Sequence, residues 1–553
     1  MAVIAFLPIR IRQTMPSHLT LALAQLNPTV GAIEANTQLI LAAAANAARQ
    51  GAELVLFPEL AVTGYPPEDL LFRDDLHRRV DAALSELAAA SQNIALVVGH
   101  PWREGGKLYN AASFFYQGRL QGRYFKQLLP NYGVFDEKRY FAAGTESCVI
   151  DFKGHKLGLL ICEDVWEPEP MAGVKADGAG MVLSLNASPY YRGKAWIRKE
   201  LLAQRSRDNG LPLVYLNQVG GQDELVFDGR SKVFNAKGEL TQSLPAFTEA
   251  LALVQLEQGQ PVPGAIQPEL EPLAEVYQAL VLATRDYVNK NGFNGAVLGL
   301  SGGIDSALTL AIAVDALGKD KVQAVMMPFR YTASISVEDA REEAEHLGVE
   351  FDIVSIEPMF DAFMGQLAPM FEGTERDTTE ENLQARSRGV LLMAISNKRR
   401  RLVLTTGNKS EVAVGYCTLY GDMVGGFAPI KDVPKTLVFE LSRYRNTLGY
   451  VIPQRVIDRP PSAELAPDQL DQDSLPPYDV LDAILEGYVE QDKSLQDLLA
   501  AGFNEADVRR VIKLVDINEY KRRQSAVGPR ITARNFGKDR RYPITSGFGK
   551  TNW

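Results

Sequence analysis

From residue 18 onward, short and almost wholly apolar runs alternate with longer segments in which apolar positions recur every three to four residues. The runs LTLALAQLN (19–27), AELVLFPE (52–59), IALVVGH (94–100), NAASFFYQGR (110–119), LGLLICED (157–164), MVLSLNAS (181–188) and LPLVYLNQ (211–218) predict strands. Between them, NTQLILAAAANAARQG (36–51) and KAWIRKELLAQRSRDNG (194–210) carry the helical period and stop at glycine. Alternation of this kind predicts an α/β layered domain, sheets covered by helices. The pattern breaks near Gln255, where LEQGQPVPGAIQPELEP (256–272) is rich in Pro, Gly and Glu and reads as a linker. A second series follows: a strand over Ala296–Leu300, a glycine turn, a helix from about Ser306, then KVQAVMMPF, SVEDAREEAEHLG, EFDIVSI, ENLQARSRGVLLMAISNK and RLVLTTG. Strand and helix in strict succession predict a doubly wound parallel sheet, with ligands at the carboxyl ends of its strands. The expected division is an extension over 1–17 (Met15 being an alternative start), a first domain over 18–255, a linker over 256–272 and a second domain over 273–553.

At 553 residues the chain is too long for one core, which agrees with that division. A net charge of −10 argues against a nucleic-acid surface. No apolar run reaches the length of a membrane span. Three cysteines, few and odd in number, suit a reducing cytoplasm. The five histidines are scattered without metal-ligand spacing, so no zinc site is expected. The basic run NKRRR (397–401) fits cations closing a helix better than an address signal.

In the first half, three polar groups sit where strands end or just beyond them: Glu59 closes LVLFPE, Lys126 follows in GRYFKQLLP, and Cys162 closes LGLLICED. A carboxylate, an ammonium and a thiol are what amide hydrolysis through a thioester requires. The thiol must lose its proton to a base, and a donor must stabilise the oxyanion that follows. Each also has a plain reading: a small buried cysteine, a surface lysine, a carboxylate at a helix entry. In the second half, Ser301-Gly302-Gly303 followed by Asp305-Ser306 joins a strand to a helix, and backbone N–H groups at such a turn cradle an anion. The loop lacks the lysine of a Walker motif and is not G-x-G-x-x-G.

The segments FPEL, VTGYPPEDLL, YFKQLLPNYGVFDEKRYF and ICEDVWEP resemble the nitrilase-type amidohydrolases, most closely their glutaminase branch, over about residues 19–250. That resemblance implies an α-β-β-α sandwich with Glu59 as general base, Lys126 as oxyanion and position holder and Cys162 as nucleophile. Glu137 would orient the site, and Tyr132, Ser188 and Lys194 would hold glutamine. The turn S-G-G-x-D-S resembles the pyrophosphatase loop of ATP-cleaving amide synthetases, which implies that Asp305 ligates Mg²⁺ and that Ser301 and Ser306 bond pyrophosphate. Finally, TTGNKSEVAVGYCTLYGDMVGGFAPIKDVPKT, PPSAELAPDQLDQDSLPPYDVLDAIL and NEYKRRQSAVGPRIT resemble glutamine-dependent NAD⁺ synthetases. The resemblance then covers nearly the whole chain and implies amidation of deamido-NAD⁺ with ATP, Mg²⁺ and glutamine, giving NAD⁺, AMP, pyrophosphate and glutamate, the last step of NAD⁺ synthesis. By motif, ATP falls to Gly299, Leu300, Ser301, Gly302, Gly303, Ile304, Asp305, Ser306 and Thr406, with Lys435 near its phosphates. Deamido-NAD⁺ falls to Asn382, Glu411 and Lys521, with Asp422 beside them, and the metal to Asp305 and Glu411. A homo-oligomer without nucleic-acid or membrane partners is expected. Two rivals are a synthetase with the same loop but another acceptor, and a nucleotide sensor with decayed sites. The nitrilase-like half counts against the first, and the intact Glu59, Lys126, Cys162 and Asp305 against the second.

Overall fold

The computed structural model describes residues 18–462, 464–466 and 475–548; the expected extension over 1–17 and part of the motif at 463 and 467–474 lie outside the described residues. Two sheets face each other in the first half. One has seven strands in the order Gln260–Pro261, Ala250–Glu257, His18–Gln25, Leu54–Leu56, Ala95–Glu104, Lys107–Tyr116, Arg119–Phe125. The other has six, in the order Leu240–Ser243, Lys232–Phe234, Leu213–Asn217, Met181–Asn186, His155–Ile161, Val149–Phe152. Strand alternation assigns the faces. Leu19, Leu21 and Leu23 point between the sheets, where they meet Leu159, Ile161 and Leu183. Ala22 and Ala24 point outward beneath the helices Ile33–Arg49 and Asp74–Ala90. A strand buried on both faces needs apolar residues at consecutive positions, which is why these runs read as continuous rather than alternating.

The stretch read as linker begins inside the sheet. Ala250–Glu257 pairs antiparallel with the whole of His18–Gln25, and Leu256 pairs with Pro261 on the return strand. Sheet pairing therefore continues through Pro261, and the helix Pro272–Lys290 follows soon after. The sequence pattern failed here because Gly259 and Pro261 make the hairpin that the composition suggested was a break.

The second half holds a four-stranded parallel sheet ordered Glu350–Ile353, Val322–Met326, Ala296–Gly299, Leu402–Val403. Ala296 and Leu298 face the helices Pro272–Lys290, Ile304–Leu317 and Lys435–Thr447, whereas Val297 faces Leu392 of the helix Thr378–Arg399. The chain moves outward from the strand Ala296–Gly299 in one direction and returns on its other side at Leu402, so the order reverses there. That reversal opens a crevice at the carboxyl ends of the strands. Beyond it, Tyr478–Leu485, Leu495–Ala500 and Glu505–Ile517 form a small helical lobe around Leu481, Val508 and Ile512.

The halves share a core. The helix Pro272–Lys290 packs on the hairpin Val219–Gln222 and Leu225–Asp228, and Gly221 is tight against it: a Cβ there would stand 3.0 Å from Ala283 Cα. Val219, Val226, Phe247 and Tyr190 of the first half belong to one apolar cluster with Val276, Leu280 and Ala283. Asp286 accepts from Asn27 Nδ2 (2.7 Å) and Gly221 N (2.8 Å), and Arg230 pairs with Glu275 at 2.9 Å. Burying each large apolar side chain is worth roughly 1.5–3 kcal/mol. A fragment ending at residue 263 would therefore expose Val219, Val226 and Phe247. A fragment ending near 293, which keeps the helix, is expected to give more soluble protein and a Tm several degrees higher, as read by thermal denaturation of the two purified fragments. Equal yield and Tm would mean that the helix contributes nothing to the first half.

Candidate active sites

Two sites emerge, one at the strand ends of each half. In the first, the strand His155–Ile161 runs into a tight turn, Cys162–Val165, and Cys162 takes a left-handed φ of 47°. A side chain held at positive φ is strained, and such strain persists only where the surroundings fix it. Asp164 supplies that fixation. Its carboxylate accepts from Ile161 N (3.0 Å), Leu128 N (2.9 Å), Gln127 N (3.2 Å) and the Tyr124 hydroxyl (2.8 Å). One buried carboxylate thus ties the turn that carries Cys162 to the segment that follows Lys126.

Lys126 is almost fully buried, its ammonium 2.8 Å from Glu59 Oε1 and 2.9 Å from Glu137 Oε1. Glu59 also accepts from Asn110 Nδ2 (2.8 Å) and from the Ala187 N–H (3.0 Å), and the Tyr65 hydroxyl donates to Glu137 at 2.9 Å. Burial opposes the charge on Lys126, but Glu137 and Glu59 outweigh it and hold the ammonium well above its ordinary range. Two buried carboxylates facing one ammonium leave a surplus negative charge. Burial, with Glu59 adding to it and Lys126 opposing, pushes Glu137 up to about 7. Burial and the Glu59 charge likewise drive the Cys162 thiol well above its ordinary range, against the pull of Lys126. The resting cysteine is therefore a thiol and needs a base before it can attack.

Cys162 opens into a cavity of 400 Å³ that Tyr132, Ser188 and Lys194 also line. The Tyr132 hydroxyl donates to Glu163 Oε1 at 2.8 Å, and Ser188 N donates to Asn217 Oδ1 at 2.9 Å. The Lys194 ammonium sits 5.4 Å from the Trp166 ring and 5.2 Å from the Tyr191 ring; burial, then the nearby Arg198, lowers it to about 7. The far wall comes from the second half: Glu490, Arg530, Arg534 and Asp539. Sequence reasoning missed that wall, along with Asn110, Tyr65 and Asp164. Its only trace was a charged stretch after the last helix, PRITARNFGKDRR, with no helical or strand period.

The second site is a cavity of 530 Å³ in the crevice of the parallel sheet. Gly299, Leu300, Ser301, Gly303, Ile304, Asp305, Ser306, Thr406, Lys435, Asn382, Glu411, Lys521 and Asp422 all line it. Gly302 sits at φ 79°, and a Cβ there would fall 2.2 Å from the Ser336 carbonyl oxygen, so packing against the neighbouring helix Ser334–Leu347 requires a glycine at this position. Ser306 Oγ bonds Gly303 O at 2.9 Å, accepts from Ser301 N at 3.2 Å and stands 3.1 Å from Ser301 Oγ. Asp305 accepts from Asn408 Nδ2 (2.8 Å) and from the Lys435 ammonium, which also reaches Glu411 at 3.2 Å. Asn382 accepts from the Thr418 hydroxyl (3.0 Å) and Asp422 from Thr418 N (2.8 Å), while burial pushes Asp422 up to about 6. Lys521 donates to the carbonyls of Gly415 (2.8 Å) and Cys417 (2.9 Å). Among the described residues no three His, Cys, Asp or Glu side chains gather as a metal site.

Two family models match in chain order: carbon-nitrogen hydrolase over residues 20–263 and NAD synthase over residues 276–525. A glutamine-dependent NAD(+) synthetase from Acinetobacter baylyi is 54% identical over 96% of this chain and 98% of its own length. The chain belongs to the glutamine-dependent NAD(+) synthetase family. Another member, from Xanthomonas campestris pv. campestris, is 51% identical over 96% of this chain and 98% of its own. Among solved members of the family, one from Acinetobacter baumannii in complex with adenosine diphosphate covers 95% of this chain and 98% of its own at 51% identity, TM-score 0.79. A Cytophaga hutchinsonii member covers 97% and 99% at 25% identity, TM-score 0.82. The family likeness thus spans both halves and both cavities.

The raised thiol gives a direct test. Iodoacetamide should alkylate Cys162 slowly at pH 7, with a rate that climbs through pH 9 without a plateau, since the thiolate fraction grows until pH passes the pKa. Mass spectrometry of the labelled peptide, with Cys162→Ala as the control, reads it. A plateau reached by pH 7 would mean that Lys126, not burial, sets the thiol.

Proposed function

We propose that the first half releases ammonia from glutamine and that the second half uses ATP to amidate deamido-NAD⁺, forming NAD⁺, AMP, pyrophosphate and glutamate as the final step of NAD⁺ synthesis. The observation that carries this reading is the coexistence, in a chain matched end to end by glutamine-dependent NAD(+) synthetases, of a buried Glu59–Lys126–Cys162 group and a Ser301–Ser306 turn on a sheet crevice. In the first cavity Glu59 takes the Cys162 proton, the sulfur attacks the carboxamide carbon, and Lys126 stabilises the oxyanion. Ammonia leaves with a proton returned from Glu59, and water then cleaves the thioester to glutamate. Tyr132, Ser188 and Lys194 hold the amino-acid end.

In the second cavity a carboxylate oxygen of deamido-NAD⁺ attacks the α-phosphorus of ATP and pyrophosphate departs. Ammonia then attacks the acyl adenylate, AMP leaves, and a proton is lost from nitrogen. The adenylate is needed because oxide is too poor a leaving group. Ser301, Ser306 and the backbone of the turn hold the departing phosphates, with Thr406 and Lys435 beside them; Asn382, Glu411 and Lys521 hold deamido-NAD⁺, with Asp422 adjoining. Asp305 and Glu411 already share one cation, the Lys435 ammonium, and their hard oxygens suit Mg²⁺ once substrate phosphates complete the shell. When bound, the metal would neutralise charge on the departing pyrophosphate. Three free thiols support a reducing, cytoplasmic setting, and no described helix is long and apolar enough to cross a membrane. A homo-oligomer is part of the same reading.

Product analysis tests the reading. With glutamine, ATP and deamido-NAD⁺, the four products should appear in equal amounts, and Asp305→Ala should abolish NAD⁺ formation from glutamine and ammonium alike. ADP and phosphate in place of AMP and pyrophosphate would overturn it.

A further inference from the structure

The sheet-crevice cavity contains a cation that no resemblance assigns. On the helix Thr378–Arg399, Thr378, Glu381, Ala385, Arg388 and Leu392 form one stripe along the cavity, as a spacing of three and four residues requires. Arg388 is the basic member of that stripe. Its Nε donates to the Met327 carbonyl at 3.0 Å, just past the end of the strand Val322–Met326, which fixes the plane of the guanidinium. Among the described residues no carboxylate pairs with it, whereas Lys435 is held by Asp305 and Glu411, and Arg459 by the Ser336 hydroxyl and the Gly302 carbonyl. Burial lowers Arg388 to about 10, with Glu464 and Asp422 only partly offsetting it at a distance. A half-buried guanidinium without a counter-ion is less well solvated than one in open water, and an anion entering the cavity offsets that cost.

We infer that Arg388 is a phosphate ligand of this cavity, anchored at Nε by Met327 and presenting its two remaining nitrogens to a phosphoryl group of a bound nucleotide. A planar fork suits two oxygens of one phosphate, and the Met327 bond prepays the ordering of a long side chain. The phosphate belongs to ATP or to deamido-NAD⁺, since both are read into the same cavity. The inference rests on that nucleotide reading.

The test measures Mg-ATP and deamido-NAD⁺ separately by calorimetry on the full-length enzyme, with wild type, Arg388→Lys and Arg388→Met. Loss of a charged, paired contact should weaken one of the two ligands by about 10- to 100-fold in Arg388→Met. Arg388→Lys should recover only part, because it keeps the charge but not the fork. The other ligand should stay within about twofold, and the same substrate should show the rise in KM. Glutamine hydrolysis by the first half serves as the fold control and should be unchanged. Unchanged affinity for both nucleotides would overturn the role of Arg388. Equal weakening of both, with glutamine hydrolysis lost as well, would also overturn it, since Arg388 would then only support the fold. Wild type that binds neither nucleotide would instead remove the reading of the cavity itself.

Discussion

A single buried ammonium ties the two chemistries together. Lys409 is almost without contact with solvent, and its Nζ meets Glu490 (2.7 Å), Asp432 (3.0 Å), the Thr532 hydroxyl (2.7 Å) and the Arg534 carbonyl (3.1 Å). Its chain neighbours face the nucleotide cavity: Asn408 donates to Asp305, and Glu411 shares Lys435. Its acceptors face the other way, because Glu490 and Arg534 line the thiol cavity. Removing one partner from a buried ion cluster typically costs 3–5 kcal/mol, about as much as many domains have in reserve. So the wall of one site cannot move far without disturbing the floor of the other.

The second constraint is charge in the thiol site. Glu59, Lys126 and Glu137 are buried together, and two carboxylates facing one ammonium carry a surplus negative charge. Burial favours the protonated form of Glu137 and, separately, of the Cys162 thiol. That arrangement holds the resting cysteine as a thiol. The two carboxylates are held differently: Glu137 by Tyr65 and Lys126, and Glu59 by Lys126, Asn110 and the Ala187 N–H.

Much of this was legible in the sequence, and the reasons differ from element to element. Strands buried on both faces announced themselves as unbroken apolar runs, and Glu59 and Cys162 stood out because each follows such a run. The Ser301–Ser306 turn was legible because glycines between a strand and a helix have few uses, and packing against the backbone of Ser336 requires one of them, Gly302. The return hairpin after Gln255 was not legible, since its glycine and proline look the same in a hairpin as in a linker. Nor was the wall formed by Glu490, Arg530, Arg534 and Asp539, because it depends on tertiary approach over some 350 residues of chain. Long-range placement leaves no local period to read.

The most direct test of two coupled but separable sites is NAD⁺ formation by full-length Cys162→Ala, with glutamine and with high ammonium as alternative nitrogen sources. Nothing in adenylation needs a thiol, whereas a covalent nucleophile contributes about 10³-fold or more to its own reaction. The account predicts that glutamine-supported synthesis falls by at least that factor while ammonium-supported synthesis stays within about twofold of wild type. Equal loss from both nitrogen sources, in a variant whose Tm is unchanged, would contradict it.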